Sequence, residues 1–190
     1  MDRKSTASQG SKKAALKSPP KIKVDARKIG TIDHECVGCS TVAESCCAKY
    51  DVSVDAAQLK KITAVLPEAA EFCPHLKTEE GYANVFEDEG QGLHSIDTHE
   101  NGLCVFAFRR QGLIRCSLHA VEAKLGLPLG TVKPQMCVLW PLTFTPKGDC
   151  LTLHDGALSC ACSSLRKKPS TVISPALLET IQHFGGEITK

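Results

Sequence analysis

Eleven cysteines in a chain of 190 residues are the feature that any fold for this sequence must accommodate. A thiol packs as a small hydrophobe but brings redox and metal chemistry with it. Eleven is an odd number, so disulfides alone cannot use every thiol. The opening stretch MDRKSTASQGSKKAALKSPPKIKVDARK holds no apolar segment of the length a secretory signal needs. The expected setting is therefore the cytoplasm, where clustered cysteines serve as metal ligands or catalytic thiols. One Trp, two Tyr and six Phe give a core few large rings, so another source of stability is expected. No run of 18 apolar residues occurs, which excludes a membrane-spanning helix. The composition also excludes a collagenous or wholly disordered chain.

The thiols are not scattered evenly. Cys36-Val37-Gly38-Cys39 is followed, after six residues, by Cys46-Cys47. A Cys-x2-Cys knuckle suits metal binding because its turn points both sulfurs at one ion, and Gly38 lets backbone approach the thiolates. The same spacing occurs in thioredoxin-like redox motifs, but those need a strand before and a helix after. Here Thr31–Glu35 is short and Ser40–Ser45 has no amphipathic helical pattern, so metal is the stronger reading. Adjacent side chains usually diverge, so Cys46 and Cys47 would serve two centres, or one would ligate while the other packs. Cys104, Cys116 and Cys137 form a second group. Cys73 and Cys150 stand alone and read as structural. Cys160-Ala161-Cys162 is a third pair. His119, one helical turn after Cys116, and His75, next but one to Cys73, are further candidate ligands.

Charge is unevenly placed. Residues 1–28 carry nine Lys/Arg against Asp2 and Asp25, a net of +7; the other 162 residues hold 14 Lys/Arg against 19 Asp/Glu, a net of −5. A basic arm of this kind can reach nucleic-acid phosphates, but no aromatics interleave its charges, so a solvated, disordered tail is the favoured reading. The expected organisation is an arm over 1–28 and a cysteine-rich domain over 29–190. Within that domain, Leu59, Ile62 and Leu66 recur at helical spacing behind Ser53, predicting a helix over 54–66 that Pro67 stops. Residues 78–101 read as a loop or weak strands. Cys104–Phe108 and Leu113–Cys116 read as a hairpin, followed by a helix that Gly126 ends. Cys137–Phe144 looks extended and pairs with Cys150–Leu153. Ser174-Pro175 opens a last helix stopped by Gly185. The predicted class is α+β: a small metal-stabilised domain with about three helices and two short hairpins.

Taken in order, Cys36-x2-Cys39, Cys46-Cys47, Cys104-Val105-Phe106, Cys116 and Lys133-Pro134-x2-Cys137-x2-Trp140-Pro141 resemble the CxxCxxCC (YkgJ-like) family. Its members are described as zinc- or iron-chelating, or Fe–S-cluster-containing, proteins. The resemblance spans roughly His34 to Cys162. It departs from the family pattern in the six residues between Cys39 and Cys46, where two are usual, and in Lys133 and Val138, where the family has Arg. The resemblance implies metal ligation by Cys36, Cys39, Cys46, Cys47, Cys104, Cys116 and Cys137. It also makes Cys160, rather than Cys162, the eighth ligand.

The leading expectation is a metal-binding protein holding an iron–sulfur cluster or zinc, with a redox or electron-transfer role if the metal is iron. One alternative is a metal-dependent enzyme of unknown substrate. The sequence carries no H-E-x-x-H, G-x-S-x-G, P-loop or G-x-G-x-x-G, and no catalytic residue can be named. Glu35, Asp97 and Glu100, near His34 and His99, are the candidate acids. The other alternative is a zinc-stabilised module that binds nucleic acid through residues 1–28.

Overall fold

A computed structural model describes residues 22–36 and 38–188. The first half holds β1 (Ile22–Val24), α1 (Ala26–Ile29), β2 (Ile32–His34), β3 (Ser53–Asp55), α2 (Ala56–Ala64), α3 (Leu66–Ala69), α4 (Glu79–Ala83), β4 (Phe86–Gly90) and β5 (Leu93–Ile96). The second holds β6 (Ala107–Arg110), β7 (Leu113–Cys116), α5 (Ser117–Leu125), α6 (Gln135–Leu139), β8 (Leu142–Phe144), β9 (Cys150–Leu153), β10 (Ser163–Leu165), α7 (Pro175–His183) and β11 (Gly186–Glu187). The class is α+β. The three long helices α2, α5 and α7 fall where the periodicity places them, and four short ones are added. Residues 22–28, expected in the arm, form β1 and most of α1; residues 1–21, where most of the basic charge lies, are outside the described residues.

Four small sheets carry the strands, in the orders β11-β1-β9-β8, β10-β2, β3-β5-β4 and β6-β7. Three apolar clusters lie between them. The first packs α2, α3 and α5 around Phe106, Ile62, Leu118 and Val121. The second gathers both ends of the chain, with Ile29 and Ile32 against Leu151, Leu177 and Ile181. The third is built on buried Cys39, Leu103, Ala107, Ile114 and Cys160, with the partly buried Trp140 packed against it.

Local chemistry explains where the elements depart from expectation. Asp55, not Ser53, caps α2: its carboxylate accepts from the Gln58 amide at 2.7 Å, and Ser53 is instead paired with Ser95 in the sheet. Pro67 opens a new helical turn in α3 rather than ending the chain's helical course, because a proline near the start of a helix gives up no intrahelical bond. Residues 137–139, expected to open an extended segment, belong instead to α6 after Pro134, and the strand begins only at Leu142. The stretch 78–101 contains α4 and the β4–β5 hairpin. Gly126 ends α5 at φ 64°, the left-handed cap.

Candidate metal centre

Short backbone ties bring the cysteine-bearing segments together. Cys39 and Ile114 exchange hydrogen bonds, with the Cys39 amide to the Ile114 carbonyl at 3.0 Å and the reverse at 2.7 Å. That lays the first knuckle against β7. Gly38 has φ 114°, and a Cβ there would sit 2.9 Å from the Ile114 carbonyl oxygen, so the glycine serves this close approach of two backbones. The Cys104 amide donates to the Cys47 carbonyl at 2.8 Å, and the Glu35 amide to the Cys162 carbonyl at 3.0 Å. In the β6–β7 hairpin Cys116 lies opposite Ala107, whose amide donates to the Cys104 carbonyl at 2.8 Å. Cys116 then caps α5.

The result is one chamber of about 820 Å³. All eight cysteines singled out above line it, and Cys162 makes nine of the eleven. Cys73 is buried elsewhere, its thiol 3.7 Å from the Ala107 carbonyl, and Cys150 lies in β9; neither lines the chamber. No cysteine is in a disulfide.

One wall carries a compact triad. The sulfurs of Cys39, Cys160 and Cys162 all lie within 4.8 Å of one another, and those of Cys39 and Cys162 are 3.5 Å apart. Two 2.3 Å zinc–sulfur bonds at the tetrahedral angle place sulfurs about 3.8 Å apart, so this group could hold a metal ion with small adjustments. Cys39 and Cys160 are nearly sealed from solvent. Hydrogen bonding from Cys162 is the main cause that brings the Cys160 thiol down to about 5; the same interaction pushes Cys162 up. Burial pushes Cys39 up to about 11. The Trp140 indole N–H is buried without a hydrogen-bond acceptor and is turned toward Cys160, where it favours the ionised sulfur.

Cys162, left out of the expected ligand set in favour of Cys160, belongs to the triad. Its spacing was the available signal, because in an extended Cys-x-Cys segment residues i and i+2 point to the same side.

Cys104, Cys116 and Cys137 form a second group in the lining. Burial raises all three, Cys137 to about 12, and the Cys116 thiol adds to the rise at both of its neighbours. The Cys116 sulfur faces the Leu118 and His119 amides in the first turn of α5, which favour its thiolate, though no full cap hydrogen bond forms. Cys36 is exposed at the chamber's rim, yet its thiol too is pushed up by its surroundings. Cys46 interacts with both groups: its charge is felt by Cys36 and Cys39 and also by Cys116 and Cys137. The Cys47 thiol beside it is the first cause of its raised value, ahead of burial. The adjacent pair therefore interacts within a 3₁₀ turn, Cys46–Ala48, capped by Ser45.

Among the other candidates, His119 lines the chamber and His75 does not. The His75 ring packs edge-on against His99 with centroids 4.6 Å apart. Glu35, Asp97 and Glu100 are all outside the chamber; Asp51 is the one carboxylate on its wall among the described residues, against Lys124, Lys133, Arg110 and Arg115. His34 does line it, nearly sealed and bonded through Nδ1 to the Ser163 hydroxyl at 2.9 Å. Lys133 went unremarked as a functional residue in the sequence. Burial alone would lower its ammonium, but the sulfurs of Cys36, Cys116, Cys137 and Cys46, once ionised, outweigh that and favour the charged lysine.

No family model matches the chain, and no solved structure matches it. No helix among the described residues is long and apolar enough to cross a membrane.

Proposed function

We propose that the chain is a metal–thiolate protein of the cytoplasm that holds an iron–sulfur cluster or zinc in the cysteine-lined chamber. The observation that carries this is the convergence of nine thiols, from segments spread over more than 120 residues, on one cavity. Soft sulfur donors with few carboxylates select zinc or iron–sulfur over calcium or magnesium. The ordered resemblance to the CxxCxxCC (YkgJ-like) proteins points the same way. The chamber volume favours an assembly of several atoms over a single ion, since a water-sized guest needs only about 30 Å³. Its size also lies within the range of small-molecule sites, roughly 300–1,000 Å³, and it has an apolar wall with Phe72, Phe106 and Phe108. That favours, as a second reading, a metal-dependent enzyme acting on a small molecule. Anaerobic purification with metal analysis and a visible spectrum tests the proposal. Coloured protein with iron and sulfide, or colourless protein with stoichiometric zinc, supports it. Metal-free protein whose eleven thiols all react freely with a thiol reagent would overturn it.

A further inference from the structure

Lys133 sits in an unusual setting for a lysine. It lines the same chamber as Cys36, Cys46, Cys116 and Cys137, and the ionised forms of these four sulfurs favour its ammonium. Among the described residues no carboxylate lies within ion-pair distance of it. The chain nevertheless holds it firmly in place. Its own amide donates to the buried carboxylate of Glu122 at 2.8 Å, alongside the Val132 amide. Pro134 follows directly and leads into α6, which carries Cys137.

A cation enclosed without counter-charge is costly, whereas the same cation beside an anionic assembly is favourable. Neutral thiols do not supply that charge. Four thiolates around one divalent ion do, because four negative charges against two positive leave a dianion. A cluster of iron and sulfide with four thiolates is likewise anionic. A single ammonium lining the same chamber is suited to offset this excess.

We propose that Lys133 is a positioning residue that compensates the charge of a metal–thiolate assembly in the chamber, stabilising the loaded protein at the expense of the metal-free one. This rests on the metal reading above, and it predicts effects of opposite sign in the two states. Removing the charge weakens metal binding yet leaves the metal-free fold at least as stable. A residue with a merely structural role would weaken both together.

The test compares the full wild-type chain with Lys133→Met and Lys133→Arg. Zinc affinity is measured by competition with a chromophoric chelator, and metal-free stability by urea denaturation with reductant and chelator present. Lys133→Met is expected to bind zinc roughly 10- to 100-fold more weakly, the range for groups that support metal ligands from outside. Its urea midpoint without metal should equal or exceed that of wild type. Lys133→Arg, which keeps the charge, should recover affinity to within about threefold. Zinc affinity in Lys133→Met within about twofold of wild type overturns the inference and leaves the metal reading standing. Equal losses of affinity and metal-free stability, with no recovery in Lys133→Arg, overturn it too. A wild-type chain that binds neither zinc nor iron overturns the metal reading, and this inference with it.

Discussion

Glu122 is the strongest handle on the chamber that does not touch a sulfur. It lies on α5, is almost fully buried, and its Oε1 accepts from both the Val132 and Lys133 amides at 2.8 Å. One carboxylate thus fixes the loop that carries Lys133 and leads to Cys137 against the helix that Cys116 caps. Hydrogen bonds to a charged group contribute about 1.5–3 kcal/mol each, so losing both costs on the order of 3–6 kcal/mol. Glu122→Ala also removes an expense, because Oε2 is buried with no partner; relief there offsets about 1–2 kcal/mol. The expected net loss is about 2–4 kcal/mol. Glu122→Gln keeps an acceptor in place and sheds the unpartnered charge, so its cost should stay below about 1.5 kcal/mol. Urea denaturation of the metal-free chain reads both values as midpoint shifts at unchanged slope. If the two variants fall within about 0.5 kcal/mol of each other, the carboxylate does not anchor the loop and the reasoning is wrong.

Two further predictions concern the triad and its surroundings. Cys39→Ser, Cys160→Ser and Cys162→Ser should each lower zinc affinity on the order of tenfold or more, while Cys150→Ser, outside the chamber, should leave it unchanged; equal effects from all four would remove the triad from the site. His34, whose ring burial and then Lys133 hold down to about 4, should make the metal-free protein sensitive to acid. Its folded value lies below the unfolded 6.5, so the unfolded chain takes the proton first. Stability present above pH 6.5 is lost as pH falls toward 4, by up to about 3 kcal/mol. His34→Asn should flatten the stability difference across that window, and a wild-type slope unchanged by the substitution would refute the assignment.

Much of the framework was legible because it is local. The helix at 117–125 announces itself through Leu118, Val121 and Leu125 at helical spacing and the glycine at 126; Leu118 and Val121 are buried and Gly126 caps α5, while Leu125 stays exposed. The β6–β7 hairpin follows from two short apolar runs around Gly112. What sequence could not give was long-range. Nothing near Cys162 says that it will lie 3.5 Å from the sulfur of Cys39, because that approach is made by β10 pairing with β2. Lys133 was visible only as a departure from a family pattern, since three of the four sulfurs that act on it, those of Cys36, Cys46 and Cys116, come from other segments. Cys137–Leu139 was read as the start of an extended segment because apolar residues in a buried run look alike whether strand or helix. There, a single helical turn turns Cys137 into the chamber.

The third cluster ties the metal reading to the fold itself. The other two clusters are filled by large aliphatic and aromatic side chains such as Phe106, Leu118, Leu151 and Leu177. The fully buried part of this one holds two sulfurs, Ala107, Ile114 and Leu103, with Trp140 only partly buried against it. A bound metal would cross-link what packing there holds only weakly. Metal–thiolate binding reaches about 10 kcal/mol or more, comparable to the whole stability of an ordinary domain. Metal removal should therefore open this region before the rest. In hydrogen exchange, chelation should cut protection of the Cys39 and Ile114 amides, which exchange bonds across the knuckle, at least tenfold. Amides in the middle of α2 and α7, which pack on the other two clusters, should change little. Uniform loss across all three clusters would mean that the metal supports the whole domain evenly, and unchanged exchange at Cys39 and Ile114 would mean that it does not brace this region at all.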